Sequence, residues 1–150
     1  MNRIDATDLK LIKLLNENAK KTLKELSREM GLSISAVKKR LEKLERLQVI
    51  KKYTVLVDCK KLGLGLTAFL KLEVNPKDLR SLTQRLSHYK EVCEVHRITG
   101  NHNLLVKIRA KDIPSLNKFL ENLTNSSEMV KEMETLVAIE SFKETPNPVL

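Results

Sequence analysis

The stretch Thr22–Tyr53, TLKELSREMGLSISAVKKRLEKLERLQVIKKY, limits the fold more than any other part of the chain. Leu23, Leu26 and Met30 recur at i, i+3 and i+7, the spacing of one apolar helical face. Gly31 follows directly, where a left-handed residue ends a helix without a Cβ penalty. Ser33 then offers a hydroxyl to the unpaired N–H groups of a second helix, and Val37, Leu41 and Leu44 form the apolar stripe of that helix. Two short amphipathic helices across a glycine turn are a helix-turn-helix pattern.

The rest of the first half fits around this pair. Asp5 or Thr7 caps an earlier helix reaching about Ala19, with Leu9, Ile12 and Leu15 inward and Asp8 in its first turn, where a carboxylate complements the helix dipole. Thr22 and Glu25 form a capping-box pair. The third helix is expected from Ser33 to Leu47. Val49 to Val57 is rich in β-branched residues and reads as a strand or small wing. The first half is therefore a winged helix-turn-helix.

Beyond Asp58–Gly65 the periodicity switches to two. Leu66, Ala68, Leu70, Leu72 and Val74 alternate as a strand. Pro76 and Asp78 open a helix with Leu79, Leu82 and Leu86 on one face. Val92 to Thr99 and Leu104 to Ala110 are two strands joined by a turn. Asp112 and Pro114 open a helix carrying Leu116, Phe119 or Leu120, and Leu123. Met129 to Phe142 is a last strand, apolar on both faces near Leu136–Ile139. The order βαββαβ is ferredoxin-like, and the apolar second face calls for cover by a second copy of the chain. The expected class is α+β, with a winged helix-turn-helix in residues 1–52, a hinge strand and linker in 53–65, and a ferredoxin-like effector-binding and oligomerisation domain in 66–150.

Charge narrows the function. The chain carries +9. Up to Asp58 there are 14 Lys and Arg against 8 Asp and Glu, and beyond it 14 against 11, so the excess sits on the helix-turn-helix half. A basic surface attracts nucleic acid and anionic membrane alike; position on the helix decides between them. With Val37 at zero and about 100° per residue, Lys39, Lys43 and Arg46 lie opposite the core face, whereas Lys38 pairs with Glu42 on a flank. The acids thus cluster on one flank and leave the outward basic stripe uncompensated, which suits double-stranded DNA. Ser33, Ser35 and Ala36 are small enough to let the helix enter a major groove and touch base edges. Lys39 and Arg40 lie within reach of guanine or backbone, Lys38 is counted with the DNA-binding residues from its flank, and Lys43, Arg46, Lys51 and Lys52 suit phosphates, which position but do not specify.

Other classes fare worse. MNRIDATDLK carries charges rather than a long apolar core, so neither signal peptide nor membrane association is expected, and the location expected is cytoplasmic. Cys59 and Cys93 are widely spaced, with no metal-ligand cluster beside them. No nucleophile–His–acid set, phosphate loop or metal spacing occurs, so neither catalysis, cofactor nor metal is expected. An RNA-recognition module would need aromatic residues on its central strands, and Leu104–Arg109 has none. An architectural DNA-binding protein with little sequence preference and no effector is the alternative to a sequence-specific regulator.

An Asp early in a leucine-rich helix, then GLSISAVKKRLEKLERLQVIKKYTVLVDCKKLG, then TGNHNLLVKI, resembles the Lrp/AsnC (leucine-responsive, feast/famine) family of transcriptional regulators. The resemblance spans nearly the whole chain. It implies homodimers, often assembled to octamers, that act on promoters in response to amino acids. It also makes Arg40 the counterpart of a DNA-contacting arginine, and Thr99, Gly100, Asn101, His102 and Asn103 the loop lining an effector pocket. Two departures stand out. Gln48 replaces a glycine after the recognition helix. Asn101 and Asn103 replace two carboxylates, and an amide accepts from an ammonium less strongly than a carboxylate does.

Overall fold

A computed structural model describes residues 3–125 and 128–148; the expected outer bounds at 1 and 150 fall outside them. By spatial contacts the chain divides into Met1–Leu56 with Thr145–Leu150, and Val57–Glu144.

The first unit holds three helices, α1 (Ala6–Glu17), α2 (Leu23–Met30) and α3 (Ile34–Arg46). Their starts follow from side-chain caps. Asp5 and Asp8 exchange reciprocal bonds at the head of α1, as do Thr22 and Glu25 at α2, and Ser33 Oγ accepts from the Ala36 N–H at α3. Leu11, Leu26, Val37 and Leu44 form the buried core, one or two from each helix. Such side chains each contribute about 2 kcal/mol on leaving water. Helices α2 and α3 end in the same closure. The Leu32 N–H reaches back to Ser27 O at 3.1 Å, and the Val49 N–H to Leu44 O at 2.9 Å. That closure requires a left-handed residue just past the helix. Gly31 supplies it at φ 66° in one case, and Gln48 adopts it at φ 55° in the other. Gln48 thus takes left-handed geometry instead of continuing the helix.

The expected strand or wing over Val49–Val57 is not formed: residues 51–57 carry no regular secondary structure. Their β-branched composition suits a strand, but a strand exists only by pairing, and these residues have no ladder partner within the described chain. The segment is anchored at its start, where the Tyr53 hydroxyl donates to Glu45 Oε1 at 2.9 Å. Burial and this acceptor push the phenol up to about 12.

The second unit is a four-stranded antiparallel sheet, β1 (Leu66–Val74), β2 (Val92–Arg97), β3 (Leu104–Ala110) and β4 (Val130–Val137), in the order β2-β3-β1-β4. Helices α4 (Leu79–Leu86) and α5 (Ile113–Asn125) cover one face. Alternation does the sorting. Ala68, Leu70, Leu72 and Val74 of β1 and Leu104, Val106 and Ile108 of β3 are buried with Leu82, Leu86, Leu116, Phe119 and Leu123. Tyr89 meets Phe119 edge-on with ring centroids 5.2 Å apart. The opposite face carries ion pairs. Arg109 joins Thr67 and Glu144, and Lys107 joins Glu94 and Glu144. Strand β4 stops at Val137, short of the expected Phe142. Val137 lies opposite Ala68, the Ala138 N–H donates to Thr67 O at 2.9 Å, and β1 itself begins at Leu66. With no ladder left, Ile139 and Phe142 stand 101% and 90% exposed. Strand β2 ends at Arg97, the residue opposite Leu104, two short of the expected Thr99.

Candidate nucleic-acid interface and effector loop

Helix α3 presents two different surfaces. Ser33, Ser35, Lys38, Lys39 and Arg46 are exposed, as are Lys51 and Lys52 beyond it, while Ala36, Arg40 and Lys43 are half-buried. Lys38 lies 3.8 Å from Glu42. Ser33 Oγ and Ser35 Oγ are 3.1 Å apart, so the cap hydroxyl and the first outward hydroxyl sit together at the start of the helix.

Arg40 and Lys43 are turned toward α1. Arg40 Nη1 donates to Asp5 Oδ2 at 2.8 Å and to Asp8 Oδ1 at 2.7 Å. Lys43 Nζ donates to Asp8 Oδ2 at 2.5 Å and to Arg3 O at 3.0 Å. Asp8 is fully buried. Burial by itself raises its carboxyl, but the Lys43 ammonium, the Asp5 N–H and the Arg40 guanidinium outweigh that and hold it below the usual carboxylate range. The Arg40 guanidinium, with the Asp8 N–H, does the same for Asp5. The outward stripe expected from Lys39, Lys43 and Arg46 is therefore compensated at Lys43. Lys39 and Arg46 are the members with no acidic partner among the described residues. A helical projection sees only the helix's own acids, whereas the partners Asp5 and Asp8 lie 32 to 35 positions earlier in the chain. The signal in the sequence is Asp8 itself, whose place in the first turn of α1 suits the helix dipole and hides its second role.

The loop Thr99–Asn103 joins β2 to β3. Thr99, Gly100 and Asn101 are exposed, and Gly100 has φ 109°, which only glycine adopts readily. Asn103 has a structural task. Its amide donates to Val74 O at 2.7 Å and accepts from the Val74 N–H at 3.0 Å, and its backbone N–H donates to Leu72 O at 3.0 Å. It thus extends the ladder by one side-chain pair at the end of β1. A carboxylate would accept one of these bonds and could not donate the other. His102 Nε2 is buried with no hydrogen-bond partner among the described residues. His88 and His96 are exposed, and both cysteines are free thiols. Among the described residues no cluster of three metal-ligating side chains occurs, and no helix is long and apolar enough to cross a membrane.

Comparison with known proteins matches these two units separately. The AsnC-type helix-turn-helix domain matches residues 4–45, and the Lrp/AsnC ligand binding domain residues 67–148. The transcriptional regulator FL11 of Pyrococcus horikoshii is 35% identical over 142 residues, covering 95% of this chain and 93% of its own. The transcriptional regulator NMB0573 of Neisseria meningitidis, solved as a complex with L-Met, is 27% identical with a TM-score of 0.88, over 96% of this chain and 95% of that one. E. coli AsnC is 25% identical with a TM-score of 0.88, over 95% and 97%. The chain belongs to the Lrp/AsnC family of helix-turn-helix transcriptional regulators.

Proposed function

We propose that this regulator reads specific double-stranded DNA with the outward, N-terminal part of α3, as a homodimer or a larger assembly such as an octamer, in the cytoplasm. A small carboxylate-bearing effector, the chemical class of the L-Met in the Neisseria complex, shifts its hold on DNA by binding one arrangement of the assembly better than another. Regulation by binding needs no catalytic step, and none is assigned.

The observation that carries the reading is the division of labour on α3. Arg40 and Lys43 fix the helix against α1, which leaves Ser35, Lys39 and Arg46 on its solvent side. Ser33, Ser35 and Ala36 suit base edges at the helix start. Lys38, Lys39, Arg46, Lys51 and Lys52 suit phosphates, where each pairing adds affinity without sequence information. Arg40 joins DNA only by sharing its guanidinium between Asp5 and a phosphate or base.

The experiment is a fluorescence anisotropy titration of a preferred operator and a scrambled duplex, repeated over a range of salt. Ser35→Val is expected to narrow the operator's advantage by about 1–3 kcal/mol with little change on scrambled DNA. Lys39→Ala is expected to weaken both duplexes alike and to lower the salt slope by about 1 for each phosphate that a subunit no longer neutralises. An operator preference untouched by Ser35→Val and Ala36→Ser together contradicts base reading by this helix.

A further inference from the structure

A cavity of about 470 Å³ opens beside the β2–β3 hairpin, between it and α4. Its walls combine two kinds of group. Arg80, Thr83 and Ser87 come from α4 and its C-cap and Arg97 from the end of β2, while Leu79 and Val95 supply apolar surface. The sheet register explains the mixture. Val95 lies opposite Val106, and Arg97 opposite Leu104, the helix-covered side of β3. Arg97 therefore ends its strand on the same side as α4, at the root of the Thr99–Asn103 loop.

Neither Arg80 nor Arg97 has an acidic partner among the described residues, and no Asp or Glu lines the cavity. This contrasts with Lys107 and Arg109 on the other face, both of which are paired. Two guanidiniums are donors matched to a carboxylate, which arginine binds through paired N–H groups; the Thr83 and Ser87 hydroxyls donate to Arg80 O and Thr83 O. The apolar wall matches a short aliphatic tail, and the volume lies in the range of small-molecule sites. What the cavity lacks is an anionic acceptor for an ammonium. An α-amino acid would bring its –NH3+ among guanidiniums with no carboxylate to meet it, and the adjoining loop offers Asn101 and Asn103 instead of acids. Asn103 is moreover occupied with Val74.

The geometry points to an effector that is an aliphatic carboxylate without an amine, a short 2-oxo acid, held through its carboxylate by Arg80 and Arg97. This deepens the effector reading proposed above and rests on it for its regulatory meaning, though not for the binding itself.

The test is calorimetry of the full chain with three probes: 4-methyl-2-oxopentanoate, leucine and inorganic phosphate. The first two share a carbon skeleton and differ at the amine. The 2-oxo acid is expected to bind at least about tenfold more tightly than either of the others, and Arg80→Gln and Arg97→Gln are each expected to weaken it by about tenfold or more. Both residues are exposed, so unchanged unfolding midpoints assign the weaker binding to the missing guanidinium rather than to misfolding. Leucine binding as tightly as the 2-oxo acid overturns the inference, as does phosphate binding as tightly, or either variant binding like wild type. The same ligands added to an operator titration separate the two claims. A 2-oxo acid that binds through both arginines yet leaves DNA affinity and assembly unchanged upholds the site and contradicts its role as an effector. Leucine alone altering DNA affinity upholds effector control and overturns the class of ligand.

Discussion

Asp8 carries a charge into a helix face whose other fully buried residue is Leu11. A lone buried carboxylate is strongly unfavourable, and this one is held by Lys43, Arg40 and the Asp5 N–H. The cluster fixes the rotation and height of α3 on α1, and so the direction in which Ser35 and Lys39 point. Asp5 and Asp8 both have folded pKa values below the ordinary one. Their contribution is therefore complete above the unfolded value, about 3.9, and is lost as pH falls below it. Asp8→Asn is expected to cost about 2 kcal/mol at pH 7, since it leaves Lys43 and Arg40 short of a partner while both keep some solvent. It is also expected to flatten the loss of stability below about pH 4. Urea unfolding of wild type and variant at pH 7 and pH 3 checks this. An equal gap at both pH values contradicts the ionic account. Lys43, which the sequence alone presents as a phosphate ligand, belongs with this cluster, because its partner lies on another helix and no pattern within α3 reveals it.

Among the elements, the ends of α2 and α3 make the same backbone closure with different residues. Gly31 enters left-handed geometry at no steric cost, whereas Gln48 meets its own carbonyl through Cβ. Gln48→Gly is expected to raise stability by about 0.5–1 kcal/mol, the relief of strain less the added freedom of the unfolded chain. A shift of the denaturant midpoint at constant slope would show it; an unchanged or lower midpoint contradicts the strain. The helices of both units are legible in the sequence because caps, stripes and stops lie within a few residues of each other. The inward face of α1 is nevertheless shifted: Leu9, expected inward, is 49% exposed, and Leu11 is the leucine fully buried. Asp5, Thr22, Ser33 and Gly31 act where the sequence puts them. Elements that depend on distant partners are less so. Strand β4 ends where β1 runs out, and Val49–Val57 has strand composition without a strand. Asn103 has the look of a weakened effector ligand in the sequence; only the folded chain brings its amide to the Val74 backbone.

For the whole molecule, each unit exposes apolar surface that no part of the described chain covers. Val55 and Leu56 are 72% and 71% exposed, in a segment with strand composition and no ladder. Ile139 and Phe142 follow β4 in the same condition. A second copy would supply both a strand partner and cover, which is the physical basis for the proposed homodimer. Val55→Lys with Leu56→Lys is expected to shift sedimentation toward the monomer while the helices persist by circular dichroism. A wild-type chain that sediments as a monomer at micromolar concentration contradicts the assembly. Dimer symmetry then makes a claim about DNA, since two copies of α3 related by a twofold axis read inverted half-sites. Selection of bound duplexes from a random pool, at one fixed salt concentration, tests this most directly. Enrichment of an inverted repeat whose half-site centres lie about 10 bp, or a multiple of that, apart is expected. Recovery of DNA with no enriched sequence, bound in proportion to length alone, would contradict it and mark the chain as an architectural binder.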